Sequence, residues 1–110
     1  MAESHLQTKI LKDLRSQPKY IKAFKLESSS DNGNPDLFWT CQLTGPCVLE
    51  VKDLGKKPRK LQESQMKGLN DCGTKAFWCD SWSGWVDIKR SLGMNKESIK
   101  KAHVIFHKNV

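Results

Sequence analysis

The chain has 110 residues, enough for one small domain with a single core. Lys and Arg number 19 against 12 acids, a formal charge of +7 that suits a polyanionic partner, with affinity drawn from phosphate contacts and counterion release. No apolar run approaches the roughly 20 residues needed to span a bilayer, and Glu3, His5, Lys9 and Lys12 interrupt any signal-peptide core, so a cytoplasmic protein with no membrane partner is expected, in the host cytoplasm if phage-encoded.

In chain order, Leu6, Ile10, Leu11 and Leu14 recur at helical spacing and predict a helix over Glu3–Ser16, stopped by Gln17-Pro18. Glu3 and Gln7 lie four apart on one face of it. Tyr20–Leu26 reads as a strand, with Lys25 a candidate phosphate contact. Ser28–Asn34 is polar and rich in turn formers, a loop leading to Asp36. Leu37–Cys41 favours a strand, Thr44-Gly45-Pro46 a turn, and Val48–Lys52 a second strand pairing with the first as a hairpin. In the latter, Cys47, Leu49 and Val51 take one face and Glu50 and Lys52 the other, which predicts a half-buried strand. Lys56, Lys57, Arg59 and Lys60 crowd a Gly- and Pro-containing loop expected to touch a nucleic-acid backbone.

Beyond the loop, Leu61, Gln65 and Leu69 repeat every four residues and predict a helix over Leu61–Asp71 that ends at Cys72-Gly73. Gln65 shares the leucines' face, where a polar amide needs a partner. Lys75–Cys79 reads as a buried strand, and Ser81 caps a helix carrying Trp82, Trp85, Val86 and Leu92 up to Gly93. Trp82 and Trp85 share a face and are read as core or dimer contacts. Residues 94–110 form a basic tail with His103 and His107 four apart, expected to pack on a partner or contact DNA. The cysteines at 41, 47, 72 and 79 lack zinc-ribbon or disulfide-scaffold spacing and are read as buried reduced thiols. The elements read in the order αβββαβα, an α/β chain.

The chemistry concentrates in Gly33-Asn34-Pro35-Asp36 and Val48-Leu49-Glu50-Val51-Lys52. Folding the hairpin about its turn brings Asp36, Glu50 and Lys52 together at its open end. Two converging carboxylates repel and raise each other's pKa unless a cation lies between them. Mg2+ suits so few protein ligands, because it takes the rest from water and phosphate oxygens; the backbone carbonyl of Val51 is a further candidate ligand. Such a metal activates a water and offsets phosphate charge, with Lys52 orienting the water or the oxyanion. Taken alone, Glu50-Val51-Lys52 also reads as an ordinary surface pair on a strand.

The order Gly33-x-Pro35-Asp36-Leu37, Leu49-Glu50-Val51-Lys52, Leu61-x-x-x-Gln65, then Leu69 and Cys72-Gly73, resembles the VRR-NUC members of the PD-(D/E)xK nuclease superfamily. The likeness covers roughly residues 3 to 92 and sets a nuclease domain at 1–93, followed by the basic tail. It implies a restriction-endonuclease-like core, a mixed central β-sheet flanked by helices, with Asp36 and Glu50 holding Mg2+ (Mn2+ substituting), Lys52 assisting the water, Gln65 supporting the site and Glu3 reaching in from the first helix. It also implies a homodimeric endonuclease acting on branched DNA such as four-way junctions. Two other classes stay open: a non-catalytic basic DNA-binding module, and a protein-interaction adaptor using the Trp82 and Trp85 surface.

Overall fold

The computed structural model describes residues 2–26 and 33–108; most of the loop read over Ser28–Asn34 lies outside them. The elements are α1 (Glu3–Leu14), β1 (Lys22–Lys25), β2 (Leu37–Cys41), β3 (Gly45–Val51), α2 (Lys60–Asp71), β4 (Lys75–Cys79), α3 (Trp82–Ser91) and α4 (Lys96–Lys108). The expected αβββαβα succession is present, with one helix more at its end.

The strands form one sheet in the order β1-β2-β3-β4. β1, β2 and β3 run antiparallel as a meander, whereas β4 pairs parallel to β3. A tight turn suffices between antiparallel neighbours, and Gly45, with φ of 70°, supplies the left-handed residue at the end of the β2–β3 turn. A parallel neighbour requires a long crossover, which α2 provides.

One sheet face carries the core. Leu6, Ile10 and Leu14, at helical spacing on α1, meet Leu37, Trp39, Leu49 and Val51, which alternate along β2 and β3. Trp85 of α3 packs edge-on against Trp39 with ring centroids 5.3 Å apart. Asp13 then ties α1 to α3, because its Oδ2 accepts from both the Trp85 indole N–H (2.8 Å) and the Lys89 ammonium (2.7 Å). Trp85 is therefore a core residue, while Trp82 is half-buried with the Lys9 ammonium 4.3 Å from its ring centroid.

Several expectations need correction. β3 is not half-buried: every residue from Cys47 to Val51 is buried, because the strand has a partner on each side and cover on both faces. β4, expected to be buried, is an edge strand with Lys75 and Trp78 exposed. Its outer backbone at Ala76 is instead satisfied by Asn70 of α2, whose amide both accepts (2.9 Å) and donates (3.3 Å), which blunts the edge. The inward residues of α2 are Gln62 and Met66, with Leu61 exposed and Gln65 and Leu69 half-buried beside them. Residues 96–108 are helical, begun by Asn95, whose Oδ1 accepts the Ser98 N–H at 2.9 Å, and Met94 and Ile99 enter the core. The start of α4 is thus anchored on the domain, while Val104, Ile105 and Phe106 further along it are exposed. Cys41, Cys47 and Cys79 are buried free thiols, but Cys72 is exposed at the end of α2.

Candidate metal centre

At the open end of the hairpin, Leu37 is the register partner of Leu49, yet the Asp36 N–H also reaches the Leu49 carbonyl at 3.0 Å. Two residues of one strand address one of the other, the geometry of a β-bulge, which re-aims side chains locally. The Asp36 carboxylate is turned onto β3, where its Oδ2 accepts the Val51 N–H at 2.8 Å. This bond fixes Asp36 against the residue between Glu50 and Lys52. The Leu49 carbonyl points toward β2, and carbonyls two apart on a strand point the same way, so that of Val51 leaves β3 on the side of Asp36.

Leu49 and Val51 belong to the core, so alternation puts Glu50 on the opposite face, where it is only 3% exposed. Glu3, on the first turn of α1, closes the group: one carboxylate oxygen each from Glu3, Asp36 and Glu50 lie within 4.8 Å of one another. The start of α1 has no capping side chain of its own at Ala2. Asp53 takes that role from fifty residues away, accepting the Glu3 N–H at 2.6 Å, and so fixes where Glu3 stands.

The electrostatics are those of acids whose burial and mutual repulsion outweigh the nearby Lys52 charge. Burial first, then the hydrogen bond and negative charge of Asp36, push the Glu50 carboxyl from 4.5 up to about 8, with Lys52 pulling the other way. Glu3 is also raised, by burial and by Asp36, and is likewise opposed by Lys52. Lys52 is half-buried and close enough to act on both acids. Two acceptors in this neighbourhood are buried without a hydrogen bond, Glu50 Oε2 and Gln7 Oε1. Gln7 is 8% exposed and donates its amide to Glu3 at 3.4 Å. Buried acceptors with no donor are costly, and a cation placed among them satisfies them at once.

The donor set is all oxygen, which fits a hard divalent ion such as Mg2+ or Mn2+ and not a thiolate-seeking metal. Asp36, Glu50, Glu3, Lys52 and the Val51 backbone, all picked out from the sequence, therefore converge. Gln65 sits half-buried on α2. Lys25 lines an open cleft of about 310 Å³ with Glu3, Gln7 and Asp53, which places it at the rim of the site. Lys56, Lys57, Arg59 and Lys60 are exposed around a buried Pro58. Their loop starts at Asp53, is held where the Gly55 N–H meets Asp80 Oδ2 (3.0 Å), and ends at α2. At that end Leu61 packs on Gly33, where a Cβ would come within 2.9 Å of the Leu61 Cγ. Both ends of the basic loop thus adjoin residues that position Glu3 and Asp36.

Sequence reading did not single out Asp53 or the burial of Gln7. For Gln7 the signal was its place four residues after Glu3; for Asp53 there was none, since its partner is distant in the chain. No protein-family model matches the chain, and no curated protein matches it.

Proposed function

We propose that the chain is a divalent-metal-dependent endonuclease of the PD-(D/E)xK kind that hydrolyses DNA phosphodiester bonds. One observation carries this reading: Glu50 is buried with an unpartnered oxygen, facing the carboxylates of Asp36 and Glu3, with the Lys52 ammonium acting on the same group. A purely structural acid is rarely buried without a donor or a paired charge. The antiparallel meander followed by a helix and a parallel strand also agrees with the core implied by the sequence resemblance.

In this reading Asp36, Glu50 and Glu3, with the Val51 carbonyl, hold Mg2+, and Mn2+ replaces it. When bound, the metal lowers the pKa of a coordinated water and offsets charge growing on the phosphate. Lys52 orients the attacking water or the developing oxyanion, while Asp36, clamped to the Val51 N–H, keeps the acids in register. Lys25 and the basic loop at Lys56, Lys57, Arg59 and Lys60 neutralise phosphates on either side of the cut. The preference for branched DNA such as four-way junctions, cut by a homodimer, is part of the same proposal and follows from the resemblance.

Incubation of the purified protein with linear, nicked and four-way DNA tests it. Cleavage is expected with Mg2+ and absent in EDTA, and Glu50→Gln and Lys52→Ala are each expected to abolish it. Tight, salt-sensitive binding with no product in Mg2+ or Mn2+ would identify a non-catalytic DNA-binding module instead.

A further inference from the structure

The sheet face that carries Asp36 and the buried Glu50 also carries Trp78, Phe38 and Phe24, of which Trp78 and Phe24 are exposed. Trp78 is the register partner of Glu50 on the neighbouring parallel strand, so the two stand side by side, about 4.8 Å apart along the ladder. Its neighbour Phe77 stacks on Trp39 in the core, which turns Trp78 to the Glu50 face, where it is 38% exposed. On the other flank, Phe38 lies two residues beyond Asp36 and, between Leu37 and Trp39 of the core, also turns to this face. Phe24 of β1 pairs with Phe38 and stacks on it, with ring centroids 4.9 Å apart and planes at 29°, and remains 46% exposed. Lys22, two residues before Phe24, shares that face and is exposed.

Single exposed apolar side chains are ordinary on a protein surface, but aromatics gathered on one face mark a surface that a partner covers. Here they bracket a carboxylate group, stand beside Lys22 and Lys52, and belong to a chain of net charge +7. That surrounding charge favours a polyanion over an apolar protein surface, and the polyanion that also offers flat apolar faces is nucleic acid with its bases unstacked. We infer that Trp78 on one flank and the Phe24–Phe38 pair on the other stack the bases beside the scissile phosphate, which makes nucleotides left unstacked, in a single strand or at a branch point, the substrate this site selects. A fully paired duplex keeps its bases turned inward and offers these rings nothing to stack on. The cut rests on the nuclease reading; the stacking does not, and the two are separable by experiment.

Metal-free protein in EDTA is titrated with a labelled single-stranded oligothymidylate and with a blunt hairpin duplex, reading anisotropy for affinity and tryptophan emission for stacking. The single strand is expected to quench part of the emission, and Trp78→Phe, which keeps a ring, to remove that part while leaving affinity near wild type. Trp78→Ala and Phe24→Ala are each expected to weaken single-strand binding by about 5- to 100-fold, with little change for the duplex. Both positions are exposed, and unchanged melting temperatures check that the variants fold. Equal effects on single strand and duplex, or none on either, would overturn the inference. So would light scattering that shows either alanine variant splitting a dimer while single-strand affinity holds, because the aromatics would then be a contact between copies. If stacking is seen but Mg2+ yields no product from any DNA, the nuclease reading fails and the stacking stands.

Discussion

The Asp36 carboxylate accepts the Val51 N–H at 2.8 Å, so an acid from the loop before β2 is bonded to the residue that separates Glu50 from Lys52. The bond lets Asp36 hold the hairpin's open end, and the proposed function gives it a second role, presenting charge to a cation. Substitution separates them. Asp36→Asn keeps an acceptor for Val51 and removes the charge; it is expected to fold normally while losing at least about 100-fold in cleavage and most of the thermal stabilisation by Mg2+. Asp36→Ala loses the acceptor too and is expected to be less stable by about 1–2 kcal/mol in denaturant unfolding.

Without a cation, stability should fall as pH rises. The Glu50 carboxyl has an ordinary pKa of 4.5 and is pushed up to about 8 in the folded protein, chiefly by burial and then by Asp36. Below 4.5 both folded and unfolded chains hold the proton; between 4.5 and 8 only the folded chain does, and its advantage drains away as pH climbs through 8. Each pKa unit corresponds to about 1.4 kcal/mol, so the decline is large on the scale of a small domain's stability. Urea unfolding in EDTA from pH 5 to 9 is expected to show this decline in the wild type and a much flatter profile in Glu50→Gln. Divalent affinity should run the opposite way, rising toward pH 8, because binding displaces the proton.

Gly33 has φ of 69° and sits where any Cβ would come within 2.9 Å of the Leu61 Cγ. Both features oppose a side chain three residues before Asp36. Gly33→Ala is expected to cost about 1–2 kcal/mol and to reduce cleavage more than melting temperature suggests, since Asp36 shifts with the loop. Trimming the contact with Leu61→Ala in the same chain should restore part of the loss and not all, because the backbone strain remains. Thermal melts and initial rates on the single and double variants check this.

The Asp13 carboxylate serves Trp85 and Lys89 together, joining α1, which carries Glu3, to α3. Removing it leaves an indole N–H on a fully buried ring without a partner. Asp13→Ala is expected to destabilise by about 1–3 kcal/mol in urea unfolding, and Asp13→Asn by less. Neither should change the pH at which cleavage rises, because Asp13 lies outside the acid group.

The acid cluster was legible because its residues come in short-range patterns. Strand alternation puts Glu50 and Lys52 on one face, and the turn at Thr44-Gly45-Pro46 sets the hairpin length that returns Asp36 to them. Helix spacing likewise brought Glu3 and Gln7 into one region. What escaped was set by distant contacts. Asp53 caps α1 across fifty residues, and nothing near Ala2 announces it. On α2 a four-residue repeat fits two adjacent stripes, and packing against β4 chose Gln62 and Met66 over Leu61 and Leu69. Among the basic residues of the last segment, the Asn95 cap and the apolar pair Met94 and Ile99 were outweighed by charge, although they dock α4 on the core.

Anomalous diffraction from crystals soaked in Mn2+ shows whether the acids hold a cation. A peak is expected among Asp36, Glu50 and Glu3, with ligand oxygens at ~2.0–2.6 Å, the Val51 carbonyl among them, and no such peak in Glu50→Gln. Manganese bound only elsewhere on the protein, with the Lys52 ammonium seated between the acids as a closed ion pair, would contradict that expectation.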